Sequence, residues 1–295
     1  MTRRLIALVV STATTMLLMI TGAVLVNAPA AGAVPPLDNP SAEYRIGCTG
    51  AWSTIQVNWT GANEATVRWS LYDTTNAYGL KPVLRLSAKG PDGTSPHVFD
   101  NGHTYVILEG GIDSGTNGTT GSWNPGNLGD FNHLVVSVQN GTAEQGVDCS
   151  VKKNIFNYTR IAYRRAVDKE GAPYDYGGTG PGYDCSGLVY TAYGQVHNFP
   201  GWTVRTANDM YNWVRGHDSP GRFYAQSVAY SDLKVGDLIF YNTIPGNSRL
   251  VDHVAFYAGG GDVFDAQQDG VPVGFHNDYV SSRVGAYRIL GITNA

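Results

Sequence analysis

The chain has 295 residues, of which 42% are hydrophobic, 11% aromatic and only 15% charged, with 37 glycines. That apolar and aromatic content excludes an intrinsically disordered chain, and a net charge of −4 argues against nucleic-acid binding through phosphate neutralisation. No apolar run of about 18 residues follows the N-terminal segment, which excludes a polytopic membrane protein.

That N-terminal segment reads as an export signal. Arg3 and Arg4 precede an apolar stretch over residues 5–26, and Ala31-Gly-Ala33 offers the small-x-small pattern of a signal peptidase site. Residues 1–33 are therefore expected to be removed as a signal peptide, leaving a secreted or wall-associated protein with no integral membrane segment. An uncleaved anchor is the alternative, and general secretion fits better than a twin-arginine route. Charge is unevenly spread beyond it. Residues 34–150 carry five Lys and Arg against eleven Asp and Glu, whereas residues 151–295 carry thirteen of each. Such asymmetry predicts two units.

After a proline-rich leader, residues 55–59, 65–69, 83–86, 104–108 and 133–138 form short β-like runs, several of them alternating apolar and polar. The spacers at 89–93 and 113–127 read as loops. Residues 34–150 are thus expected to form a small all-β, sandwich-like domain without helix. Cys48 and Cys149 lie near its two ends and suit a disulfide clasp, although three cysteines allow two other pairings. The clasp leaves Cys185 as a free thiol.

From residue 151 the pattern changes. Ile155, Tyr158, Ile161, Ala162 and Ala166 fall at helical spacing until Gly171 and Pro173 stop the run. A Gly-rich loop covers 177–182. Helices are expected from Cys185 to about Gly194 and from about Thr206 to Val214, then strands at 238–241, 253–258, 262–267 and 286–290. Helices followed by antiparallel strands make an α+β domain over residues 151–295.

The chemistry centres on Tyr183-Asp-Cys-Ser-Gly-Leu-Val189. Asp184 is a good N-cap type and places Cys185 at the first helical position, where the helix dipole favours a thiolate. The backbone N–H groups of Cys185 and Ser186 are then available to an oxyanion. Gly187 is expected to let the helix pack closely on a strand. A thiol nucleophile needs a base, and the base an orienting partner. His197, His217 and His276 stand in polar text and read as solvent-exposed or loop-capping. His253 differs because it opens the strand His253-Val-Ala-Phe-Tyr257. A three-residue loop at Gly259-Gly-Gly261 pairs Ala258 with Asp262 and His253 with Gln267, whereas a two-residue turn is expected to flip Asp265 away from His253, and the clean apolar face favours the former. Asp265 then shares the face of His253 as its diagonal neighbour, and Val254, Phe256, Phe264 and Ala266 share the other face. Asp265 is the expected orienter, with Gln267 the alternative. The other His and Asp residues show no ligand spacing, so no metal or cofactor is expected, and Asp252 reads as a turn residue.

Four blocks in order, Pro173-Tyr-Asp-Tyr-Gly-Gly178, Tyr183-Asp-Cys-Ser-Gly-Leu-Val189, Leu233-Lys-Val-Gly-Asp-Leu-Ile-Phe240 and His253-Val-Ala-Phe-Tyr-Ala-Gly259, resemble the NlpC-type cysteine peptidases. These are papain-like hydrolases of bacterial cell walls, and the likeness spans about residues 151–295. The resemblance implies Cys185 as nucleophile, His253 as base and Asp265 at the third polar position, where many relatives carry His. It implies Tyr174 beside the nucleophile, its hydroxyl helping to polarise the scissile carbonyl, and it matches Arg205-Thr206 to a family Arg-Thr pair of open role. The implied substrate is the peptidoglycan stem peptide, cut between the γ-carboxyl of D-glutamate and an L-diamino acid. An amidase or acyltransferase on another amide or ester is one alternative, and a non-catalytic wall-binding protein is another. Residues 34–150 match no family by this reading. Trp52, Trp59, Trp69 and Trp123 are either sandwich core or platforms for wall sugars, and the acidic balance argues against simple electrostatic attachment to an anionic wall.

Overall fold

Buried and half-buried residues alternate without a break along Ala51–Trp59 and Ala65–Asp73, the period-2 signature of strands with one face in a core. The computed structural model of the chain describes residues 37, 39–74, 79–90, 105–107, 115–123, 132–244, 246 and 250–295. The expected export signal lies outside these residues, as do the 91–93 turn and the side chain of Trp123. In chain order the described elements are β1 (Ala42–Cys48), β2 (Ala51–Trp59), β3 (Ala65–Asp73), β4 (Pro82–Lys89), β5 (Tyr105–Ile107), β6 (Gly115–Trp123), β7 (His133–Asn140) and β8 (Cys149–Phe156). Then come α1 (Tyr158–Val167), α2 (Cys185–Gly194), α3 (Ala207–Arg215), β9 (Tyr224–Ser227), β10 (Leu238–Tyr241), β11 (His253–Gly259), β12 (Asp262–Asp265), β13 (Gly274–Asn277) and β14 (Arg283–Asn294). The molecule is mostly β with few helices.

Two sequence expectations fail here. Residues 151–156, expected to lead into a helix, belong to β8, which pairs with β7 from His133↔Phe156 to Asn140↔Cys149. Ile155 joins the helical series by spacing alone. As a strand residue it sends its side chain into the same apolar cluster that Val151 packs against. The 113–127 spacer, read as a loop, contains β6, which pairs with β3. Its Gly- and Thr-rich text, Gly115-Thr-Asn-Gly-Thr-Thr-Gly-Ser-Trp123, carries no apolar alternation because it is an edge strand.

One sheet has the order β1-β2-β3-β6. The other runs β13-β12-β11-β10-β14-β8-β7-β4-β5, with β9 also on β14. Ile55, Val57, Trp59, Val67, Trp69 and Leu71 of the first sheet face Leu84, Leu86, Leu134, Val136 and Val138 of the second across a shared core. A disulfide joins Cys48 at the end of β1 to Cys149 at the start of β8, so it ties the two sheets together. Tyr224 and Leu290 from the C-terminal half enter this same core. The helices pack on the C-terminal part of the long sheet around Tyr193, Met210, Val214, Phe240, Phe256 and Phe264.

The twelve-residue β14 makes the junction. Its first part pairs with β10 and β9, while Gly291–Asn294 pair with β8. Polar contacts reinforce it. Buried Arg288 is bonded to Asp237 through Nη2 and Oδ2 at 2.7 Å, and its Nη1 donates to the Ser41 carbonyl at 3.2 Å. Asn157 Nδ2 donates to the carbonyls of Gly61 and Ala62 at 3.2 and 3.3 Å.

The tryptophans resolve by strand position. Trp59 and Trp69 are core. Trp52 points outward but lies between Arg45, 4.0 Å above its ring, and Tyr72, stacked at 4.1 Å. A Cβ on Gly115 would fall 2.7 Å from the Tyr72 ring, so that ring's far side is covered by the strand beside it. Among the described residues, no tryptophan of the N-terminal strands presents an uncovered ring face to a sugar.

Candidate active site

Helix α2 begins where its N-cap demands. Asp184 is extended and its Oδ1 accepts the Gly187 N–H at 2.6 Å, satisfying one of the free donors of the first turn. Its other oxygen accepts the Gly177 N–H at 2.8 Å, which ties the preceding loop to the helix. Arg205, whose role the sequence leaves open, grips the same cap. Its Nη2 donates to Asp184 Oδ1 and to the Gly178 carbonyl, both at 3.0 Å, and its Nη1 donates to Ser186 Oγ at 2.8 Å. The Ser186 hydroxyl in turn donates to Asp184 Oδ1 at 3.3 Å. The buried Ser186 side chain is thus engaged internally, and only its backbone N–H is left for an oxyanion role. Gly187 packs against this loop and not, as expected, against a strand: a Cβ there would fall 1.9 Å from the Gly178 carbonyl oxygen.

Cys185 is the free thiol of the chain. It lines a cleft of about 290 Å³ together with Tyr174, Tyr176, Ser186, Arg205, Asn208 and Asp252. Tyr174 therefore shares the cleft with the thiol, and its hydroxyl is pushed up by burial and by the Cys185 charge. Asp252 closes a turn as expected, accepting the N–H groups of Thr243 and Ile244 at 2.7 and 2.9 Å.

The β11–β12 hairpin supplies His253 and Asp265. Phe256 pairs with Phe264 and Tyr257 with Val263, the expected register, but Gly259 pairs with Asp262. A bulge at Ala258 takes up one residue, and Gly260-Gly261, both at positive φ, make a two-residue turn in place of the expected three-residue loop. The bulge restores the register, so Asp265 keeps the face of His253. His253 Nε2 donates to Asp265 Oδ2 at 2.6 Å, which leaves Nδ1 for Cys185. Strand β12 stops at Asp265, shorter than the expected 262–267, and Gln267 hydrogen-bonds Tyr279 instead. Asp265, not Gln267, orients the imidazole.

Sequence reasoning misses what lies behind Asp265. Its carboxylate is wholly buried and also accepts from His276 Nδ1 at 2.6 Å, on Oδ1, and from the Tyr279 hydroxyl at 3.0 Å, on Oδ2. His276, read as solvent-exposed or loop-capping, is a strand residue bound to the site. The signal available was the alternation of His276 with Gly274, a residue with no side chain, on a strand too short to register. His217 does fit the bland reading: its Nδ1 meets the Trp213 carbonyl at 2.8 Å.

The electrostatics follow from these contacts. Burial alone would push His253 down, but the Cys185 charge and the bonds to Asp265 and Cys185 carry it up to about 10. Burial would raise Asp265, yet the hydrogen bonds and charges of His253 and His276 hold it at about 2. His276 is raised by its bond to Asp265. A thiol at a helix N-terminus, beside an imidazolium held by a buried carboxylate, is equipped for nucleophilic attack on a carbonyl and for proton delivery to the leaving group.

Residues 171–288 match the NlpC/P60 family. "Probable endopeptidase YafL" of Escherichia coli is 35% identical over 119 residues, covering 40% of this chain and 43% of that protein. "Murein DD-endopeptidase MepH" of Escherichia coli is 32% identical over 161 residues, covering 52% and 54%. "Bifunctional muramidase/DL-endopeptidase CwlT" of Bacillus subtilis is 29% identical over 133 residues, covering 43% and 35%. The chain spans about half or less of the length of these curated relatives.

Proposed function

Since residues 171–288 belong to the NlpC/P60 family, a cysteine peptidase family, we propose that this chain is a secreted endopeptidase that hydrolyses amide bonds in peptidoglycan stem peptides. The bond assigned is the one between the γ-carboxyl of D-glutamate and an L-diamino acid. The observation that carries the reading is Cys185 in the cleft, hydrogen-bonded to His253, whose Nε2 donates to buried Asp265 at 2.6 Å.

In this mechanism the Cys185 thiolate attacks the scissile carbonyl. The oxyanion is met by the free N–H groups at the start of α2 and by the Tyr174 hydroxyl. Protonated His253 gives its proton to the departing amine, forming a thioester with the acyl half of the stem. Neutral His253 then takes a proton from water as the water attacks the thioester, and the thiolate leaves. Asp265 keeps the imidazole in the tautomer and plane that both transfers need. The N-terminal sheets have a supporting role in this reading, because their described tryptophan rings are covered.

The test is digestion of purified sacculi with the full chain, followed by mass spectrometry of the released peptides. New termini at D-glutamate and at the diamino acid are expected, and Cys185→Ala should release nothing above background. Termini at a D-alanyl cross-link would move the assignment to DD cleavage, and equal product from Cys185→Ala would refute the thiol mechanism. Export is tested separately: N-terminal sequencing of protein from culture fluid should begin at Val34.

A further inference from the structure

Asp265 is hydrogen-bonded to His253 but is not given over to His253 alone. Its two oxygens are divided: Oδ2 faces His253 and Tyr279, while Oδ1 is bound by His276 at 2.6 Å. The backbone makes room for this. Asp265 pairs across the strands with Gly274, and Val263 pairs with His276. With no side chain on Gly274, nothing from β13 stands directly over Asp265, and the imidazole two residues along leans across to it. His276 is not sealed in. Its side chain keeps 19% of its surface exposed and lines a second pocket of about 520 Å³, with Asp262, Gln267, Phe275, Asp278 and Tyr279.

We infer that His276 is a positioning residue that acts on the base through Asp265, locking the carboxylate by its outer oxygen and setting how much of its negative charge reaches His253. The inference rests on the cysteine-peptidase reading of Cys185 and His253. One carboxylate balances one imidazolium. When His276 is also protonated, the two rings compete for that charge, and each makes the other easier to deprotonate. The groups facing His276 are Asp265 from β12, His253 behind it on β11, Tyr279 through Asp265, and Asp262 and Asp278 at the pocket. Asp278 is itself paired with Arg283. The bond to Asp265 raises His276 above the ordinary histidine value.

The test compares the full chain, disulfide intact, with His276→Leu and His276→Asn. With Cys48 and Cys149 paired, Cys185 is the one thiol of three cysteines, so its alkylation by iodoacetamide reports on this site alone. The upper transition of the alkylation-against-pH profile, where the His253 proton leaves, should move up by about half to one pH unit in both variants, because Asp265 no longer shares its charge. With a defined stem peptide, His276→Leu should lower kcat about tenfold with KM within about twofold, and His276→Asn, which keeps an N–H donor, should recover most of kcat. Should His276→Leu fail to fold by circular dichroism, the profile of His276→Asn decides alone. An unmoved profile in a folded variant, or a loss confined to KM, overturns the inference. If the wild type cleaves no stem peptide, the substrate reading fails, and the alkylation profiles still decide the role of His276.

Discussion

At the scale of single residues the site turns on Asp265, a buried carboxylate with three donors around it. Replacement by Asn keeps the shape but leaves one acceptor oxygen and introduces two donors, so at least one of His253, His276 and Tyr279 loses its partner. Asp265→Asn should therefore lower kcat by about 10- to 100-fold with little change in KM. It should also pull the alkaline limb of kcat/KM down, because His253 owes part of its raised pKa to this carboxylate. The signs for stability run in opposite directions. Asp265 is depressed to about 2, so its contribution is full above the ordinary carboxylate range and is lost as pH falls through that value. His253 is raised to about 10, so its contribution is full below the ordinary histidine range and is lost as pH rises to that value. Thermal midpoints measured across pH should hold a plateau from just above the ordinary carboxylate range to just below the ordinary histidine range and decline on either side. The shared face of His253 and Asp265 was legible from the period-2 apolar face opposite it, although the turn was not: two glycines turn the chain, and a bulge at Ala258 restores the register. His276 was not, because its contact depends on which residue of β13 stands opposite Asp265.

At the scale of elements, α2 is held at its start by side chains more than by propensity. The Asp184 cap, the Arg205 grip and the absence of a side chain on Gly187 bring the Gly177–Gly182 loop against the helix start that presents Cys185. Gly187→Ala forces a methyl to within 1.9 Å of the Gly178 oxygen. Either the loop or the helix must shift, at a cost of about 1–3 kcal/mol. A lower thermal midpoint is expected, together with a loss of turnover larger than unfolding explains at assay temperature. The tie between β1 and β8 is also testable. Replacing Cys48 and Cys149 by Ser removes a link that spans 101 residues, and should cost about 2–5 kcal/mol in denaturant unfolding while leaving Cys185 chemistry intact. The N-cap and the cysteine arithmetic could be read from the sequence. The β8 strand was misread because Ile155 suits both a period of 2 and a period of 3.6, and only its neighbours β7 and β14 select between them.

For the whole molecule, the charge boundary at residue 150 is not a structural seam. It falls inside β8, and β14 carries one continuous sheet from the strands that bear His253 and Asp265 to the N-terminal ones. Tyr224 and Leu290 complete the core of the N-terminal sheets, and Arg288 reaches Ser41. A fragment starting at residue 151 would break β8, strip β14 of its cover and leave Arg288 short of a buried acceptor. It should therefore be insoluble or lack a cooperative transition, whereas residues 34–295 should unfold in one step by circular dichroism. A soluble, fully active 151–295 fragment would show that the N-terminal sheets are dispensable.

The sequence by itself determined the local chemistry: the capped helix that opens on Cys185, the strand that opens on His253, the apolar face that leaves Asp265 on the side of His253, and a cysteine count that leaves one thiol. Each rests on interactions among residues close in the chain, where periodicity and capping act directly. Only the tertiary structure decided which strands share a sheet, that the two halves share a core, that Arg205 braces the helix start, and that His276 stands behind Asp265. Those depend on long-range pairing and on glycines whose missing side chains make room for distant partners, and neither leaves a local pattern in the sequence.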